Sequence, residues 1–99
     1  MRQEIWKFVL DPAKAKEGHL GQLLFELEMP QRSEILTIHI QLGIPVVWAM
    51  VWVGLPKLKR RIELYNTGEE CESMGRKYIG SVRAQRGETE LVLHAFEAP

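Results

Sequence analysis

Cysteine is almost missing from these 99 residues: Cys71 stands alone. A single thiol excludes an intramolecular disulfide framework and a cysteine-based zinc site. Neither sign of charge is in excess, with 13 Lys plus Arg against 13 Asp plus Glu. The chain therefore exerts no bulk pull on nucleic acid or anionic lipid. Its longest apolar run, Ile44 to Leu55, falls short of the roughly 20 residues of a membrane span. The opening "MRQEIWKFVL" carries charge inside its apolar stretch and no cleavage signal, so no secretory leader is expected. Repeats, low-complexity tracts and domain linkers are missing as well. The expectation is one soluble domain in a reducing, cytoplasmic setting, with no membrane contact and no cofactor.

What is present reads as β-structure. The chain is 45% hydrophobic and 26% charged, an ordinary globular balance that argues against disorder. "EIWKFVL" (4–10) is rich in β-branched and aromatic residues and stops at Asp11-Pro12. In 22–29, Leu23, Phe25, Leu27 and Met29 share one face and Glu26 and Glu28 the other, and Pro30 ends the run. In 34–42, Leu36, Ile38, Ile40 and Leu42 oppose Thr37, His39 and Gln41. Alternation returns in 59–66, 77–85 and 88–97, with a tight turn expected at Arg86-Gly87. The connections 11–22 and 68–76 are polar and irregular. The first is expected to be mobile, its "AKAKE" being too short for a helix and lacking an apolar face. Glu69–Met74 is a candidate single helical turn.

The segment "VVWAMVWV" (46–53) does not alternate. Four valines bounded by Pro45 and Gly54 favour a strand over a helix, and apolar residues on both sides predict a central strand covered on both sides. The last strand, with Leu91, Leu93 and Ala95 opposing Val92 and Phe96, is also placed centrally. Trp48, Met50 and Trp52 share one face and Val47, Ala49, Val51 and Val53 the other. The large face either completes a core or pairs with a second copy of the chain, and a homodimer is expected. Seven short strands joined mostly by turns predict an all-β, antiparallel sandwich or partly open barrel.

Taken in order, "EIWKFVL", "ELEMP", "EILTIHIQLGIPVVWAMV", "YNTG", "KYIG" and "LVLHAFE" resemble a family of short uncharacterised bacteriophage and prophage proteins. That family's pattern runs I-W-K-[FY], [EM]-P, a hairpin ending in W-A-L-V, Y-[GN]-T-G, K-Y-I-G-T and H-x-F-E. The likeness spans nearly the whole chain and implies a phage context, hence the cytoplasm of a host cell, but no activity. This sequence departs from the pattern at Met50, at Ser81, in the loop 66–76 and in its longer first connection.

Residues that carry chemistry are sparse. His19, His39 and His94 form no H-x-H or H-x3-H pair for a metal. His39 and His94 meet only if their strands pair, with Glu26 or Glu63 beside them; a structural role is favoured for both. Ser33, Ser73 and Ser81 lack the context of a nucleophile elbow, and three glutamates around Cys71 disfavour attack by its thiol. No glycine loop for phosphate is present. An enzyme is therefore not expected.

Two binding sites remain to be weighed. Lys57, Lys59, Arg60 and Arg61, with Arg76, Lys77, Arg83 and Arg86, are candidates for nucleic acid, with Tyr65 and Tyr78 as stacking surfaces. Acidic residues in the same half favour a solvated outer strand instead. Asn66, Thr67 and Gly68, with Arg76, Lys77 and Tyr78 returning nearby, are candidates for an anionic or nucleotide-type ligand. The reading that follows is a non-enzymatic phage-type module that captures and blocks a host defence component, either a protein or a nucleotide-type signal. The alternatives are an assembly accessory protein and a nucleic-acid-binding regulator.

Overall fold

The period-two alternation becomes strand nearly where the sequence places it. The computed structural model describes residues 1–99. Its strands are β1 (Gln3–Val9), β2 (Lys16–Glu17), β3 (Leu23–Pro30), β4 (Glu34–Gln41), β5 (Ile44–Trp52), β6 (Lys57–Asn66), β7 (Lys77–Arg86) and β8 (Thr89–Ala98). The short β2 is the addition to the expected seven. It lies in the first connection, which is also shaped by a 3₁₀ turn at Pro12–Lys14. The Asp11 carboxylate caps that turn by accepting from the Ala13 N–H at 3.0 Å, satisfying a donor that the helix end leaves free. No helical turn forms over Glu69–Met74, where the chain runs irregularly.

Two antiparallel sheets result, ordered β1-β5-β4 and β2-β3-β6-β8-β7. Between them lie Val47, Ala49 and Val51 of β5 and Ile35 and Ile38 of β4. Facing these are Phe25 and Met29 of β3, Ile62 and Leu64 of β6, and Leu93 and Ala95 of β8. The shortest molecular dimension is 21 Å, which suits two layers about 10 Å apart plus their outer side chains. At one seam β4 runs beside β7, yet no ladder joins them. The architecture is thus a sandwich rather than a closed barrel. Gly80 sits at this seam: a Cβ there would lie 3.3 Å from Ile38 Cγ2, so a larger residue would require the Ile38 side chain to give by a few tenths of an ångström.

Alternation in β4 is interrupted. Its register against β5 shifts between Ile35 and Thr37, so Leu36 is the extra residue of a β-bulge. Leu36 is left exposed and Ile35 takes a core place, which reverses the facing expected for that end of the strand. The β4–β5 hairpin then turns on Leu42 and Gly43, at φ 50° and 79°, one residue before the connection expected at Gly43-Ile44-Pro45. Leu42 is fully exposed there. A left-handed conformation costs a side chain with a Cβ about 1–2 kcal/mol, and Asn tolerates it best. Leu42→Asn is therefore expected to stabilise the protein by about 1 kcal/mol, read as a higher urea midpoint. A lower midpoint would contradict this turn geometry.

The two tryptophans of β5 are not in the core. Val47, Ala49 and Val51 face inward and are fully buried, whereas Trp48, Met50 and Trp52 project from the opposite side of the three-stranded sheet and are only half-buried. β5 is central, as its composition predicts, but it is covered on one face only.

Candidate functional site

The outer face of the five-stranded sheet carries the chemistry. Ladder register places Tyr65 opposite His94 and Glu63 opposite Phe96, while β7 sets Tyr78 against Phe96 and Ser81 against His94. Alternation, with a register shift in β7 between Tyr78 and Gly80, then brings Tyr65, His94, Phe96, Tyr78 and Ser81 to one side of the sheet. The turn after β6 adds Asn66, Thr67 and Gly68 at the rim, and Glu69 and Cys71 follow. All of these but Ser81, which sits just behind His94 and Tyr78, border a cleft of about 230 Å³.

Aromatic rings form its walls. Phe96 stands edge-on to Tyr65, with centroids 5.9 Å apart at 83°, and tilts against Tyr78 at 5.4 Å and 58°. Tyr65 is buried and Tyr78 mostly exposed, so one wall is fixed and the other is accessible from solvent. Polar groups form a chain across the same cleft. The Tyr78 hydroxyl lies 2.6 Å from Ser81 Oγ, Ser81 Oγ lies 2.7 Å from His94 Nδ1, and His94 Nε2 lies 2.8 Å from Thr67 Oγ1. With a neutral imidazole the four groups hold four protons for three bonds. Whichever way the chain of donors runs end to end, one hydroxyl proton is left over, on Thr67 or on Tyr78. At the rim, Glu69 Oε1 accepts from the Asn66 backbone N–H at 3.0 Å and from Asn66 Nδ2. Asn66 Oδ1 is buried and has no partner.

Of the expected ligand residues, Asn66, Thr67, Gly68 and Tyr78 are brought together here. Arg76 and Lys77 are not among the residues lining the cleft. Arg76 Nε instead donates to Glu63 Oε1 at 2.7 Å, and its Nη1 lies 3.7 Å from Glu72. Glu63 Oε2 accepts from Gln22 Nε2 at 2.6 Å, so the two irregular connections are fastened to the sheet through one carboxylate. Burial raises the Glu63 pKa, but hydrogen bonds from Arg76 and Gln22 and the Arg76 charge outweigh it and hold the carboxyl below its ordinary value. Burial, then the Glu63 charge, pushes the Tyr65 hydroxyl up. Lys77 is exposed and pairs in register with Glu97.

Sequence alone links neither Ser81 nor Phe96 to His94, for which it offers only His39 and a glutamate as neighbours. What groups them is that β8 lies between β6 and β7, which no local pattern reveals. His39 and His94 do not meet, since they belong to different sheets, and no three His, Cys, Asp or Glu side chains converge as a metal site.

The basic cluster is matched by acid. Arg61 faces Glu26 across the β3–β6 ladder and Lys59 faces Glu28. Lys16 forms a hydrogen-bonded ion pair with Glu26, which lowers that carboxyl's pKa together with the charges of Lys59 and Arg61. Arg60 turns the other way, binding the Glu97 carboxylate and the Ser33 carbonyl, the latter at 2.9 Å. Lys57 stays exposed at the start of β6.

Fold and site together define a small antiparallel β-sandwich with an aromatic-walled cleft on one sheet. The chain belongs to the family described as a domain of unknown function, DUF7352, whose model matches residues 1–99. No curated protein and no solved structure matches it.

Proposed function

We propose that this domain is a non-enzymatic recognition module whose cleft takes a small, uncharged, planar heteroaromatic molecule of nucleobase or nucleoside type. In the phage setting that the sequence resemblance implies, it acts by sequestering such a signal in the host cytoplasm. The observation that carries the reading is the meeting of the Tyr65–Phe96–Tyr78 walls with a leftover hydroxyl donor and the unpartnered Asn66 carbonyl. A ring stacked on Tyr78 gains from the aromatic face. Its edge meets the leftover hydroxyl donor, and Asn66 Oδ1, which is buried at the rim, serves as its acceptor once the side chain turns toward the cleft.

Charge and size narrow the ligand. Arg76 is committed to Glu63 and Glu72, so the cation expected to meet a phosphate is taken. A cleft of about 230 Å³ lies below the roughly 300–1,000 Å³ typical of drug-sized ligands. Binding is favoured over catalysis because His94 Nε2 meets the Thr67 hydroxyl, not a carboxylate that would hold an imidazolium beside Ser81. Nucleic-acid binding is less well supported, since Glu26 and Glu28 stand opposite the bases of β6.

Calorimetric titration with the four common nucleosides and their monophosphates tests this. At least one nucleoside is expected to bind, and its monophosphate no more tightly. Loss of the Tyr78 ring in Tyr78→Ala should weaken binding by about 1–3 kcal/mol. Failure of every nucleoside to bind would remove the proposal, and tenfold preference for a monophosphate would show that a cation serves the site after all.

A further inference from the structure

The outer face of the three-stranded sheet is the largest feature that the ligand cleft leaves unexplained. We infer that it is the interface of a twofold homodimer, in which β1 of each copy lies over β4 of the other.

Register defines the face. Gln3, Ile5, Lys7 and Val9 of β1 stand opposite Trp52, Met50, Trp48 and Val46 of β5, and Glu34, Thr37, His39 and Gln41 of β4 complete the other side. Ile5 is 63% exposed, Val9 47% and Ile44 38%. Trp48, Met50 and Trp52 run between them and are half-buried. Val46 is already covered, where the Lys7 Nζ–Gln41 Oε1 hydrogen bond of 3.2 Å passes across β5. Tryptophan and methionine are enriched at the centre of interfaces.

Charge names the occupant. Apart from the ionisable His39, the charged residues of this face are Lys7 on one edge strand and Glu34 on the other, and neither has an ion-pair partner within the chain. A face with one unpaired charge of each sign on opposite flanks complements itself. Rotation by a half-turn about an axis parallel to β5 exchanges the flanks, so Lys7 of each copy meets Glu34 of its partner. Lys7 is level with Trp48 and Glu34 with Met50, an offset of two residues or about 7 Å along the strands, which the long side chains span. Two symmetric ion pairs then bracket a centre of indoles and Met50, as an isologous interface requires. The net charge of zero leaves no bulk repulsion between copies.

Size sets the strength. Three strands, the longest of nine residues, make a footprint of roughly 30 by 14 Å, or about 400 Å² on each copy. That is about 800 Å² in all, below the roughly 1,200–2,000 Å² of stable specific interfaces, and it fits a weak, reversible dimer with a dissociation constant on the order of ten to a hundred micromolar.

Sedimentation velocity over a concentration series tests the inference. Wild type should pass from monomer to dimer, and Met50→Glu should stay monomeric while keeping a cooperative melt. Lys7→Glu and Glu34→Lys alone should each weaken the dimer at least fivefold or so, whereas the double variant Lys7→Glu/Glu34→Lys should return close to wild type. Recovery in the double variant is a readout that a purely structural role for either residue would not give. A wild type that stays monomeric at about 500 µM overturns the dimer. A dimer indifferent to Met50→Glu overturns the face, and no recovery in the double variant overturns the twofold arrangement.

Discussion

Acidification is expected to unfold this protein in a way that depends on Glu63. The carboxylate is 3% exposed, accepts from Arg76 and Gln22, and is held below its ordinary pKa of 4.5. A carboxyl whose folded pKa is depressed contributes stability that is fully present above its unfolded value and is lost as pH falls through the folded one. The wild-type urea midpoint should therefore fall steeply below about pH 4.5, and Glu26 adds to that limb through its pairing with Lys16. Glu63→Gln should cost about 1–3 kcal/mol at neutral pH, the value of a charged hydrogen bond at a buried site. Its acid limb should be flatter than that of the wild type.

Arg76→Met should be worse than Glu63→Gln at neutral pH, because it leaves a charged carboxylate buried with one neutral donor. Replacing both, as Glu63→Leu/Arg76→Met, should recover part of the loss, since no unpaired charge remains. The pair also fastens the connection after β6, which presents Asn66, Thr67 and Gly68. Either single change should accordingly weaken ligand binding without touching the cleft. Gly18 belongs to the same device: a Cβ there would fall 2.3 Å from the Gln22 side chain, which Glu63 and the Leu20 N–H hold in place. Parallel acid limbs in wild type and Glu63→Gln would show that this carboxylate is not what acid removes.

Ile62→Ala is expected to be the most destabilising single truncation, at about 2–5 kcal/mol. Ile62 has no exposed surface and lies on β6, which is hydrogen-bonded to β3 on one side and β8 on the other. The surrounding strands are held by their ladders, so the vacated volume cannot close. At about 4–8 °C per kcal/mol for a domain of this size, the melting point should drop by tens of degrees. Trp48→Ala removes a larger side chain yet should leave a cooperatively folded domain, because its indole is outside the packed interior. If Trp48→Ala proved the costlier of the two, the assignment of β5's faces would be inverted.

Much of this architecture is legible in the chain. Alternation along 22–29 and 88–97 places the strands within a residue or two, and it assigns Phe25, Met29, Leu93 and Ala95 to one face each. The bulge at Leu36 is not legible, because Ile35 and Leu36 are equally apolar and only the partner strand chooses between them. The loop motif at Asn66-Thr67-Gly68 is visible as a turn and does border the cleft. The pairing of Arg76 is not legible for a physical reason: its partner, Glu63, lies thirteen residues away and is buried only once two loops fold over the sheet.

The sequence by itself determined that this is a single-cysteine, charge-balanced, all-β chain, with the strands and, outside the bulges, their faces set by period-two alternation and the turns marked by Gly, Pro and Asn. Those are local properties, set by sterics within a few residues. Tertiary structure alone decided which strands lie side by side, and hence that Tyr65, Thr67, Tyr78, His94 and Phe96 share a cleft while Trp48 and Trp52 stay outside the core. Strand order depends on the summed burial of distant segments, and no single segment carries that information.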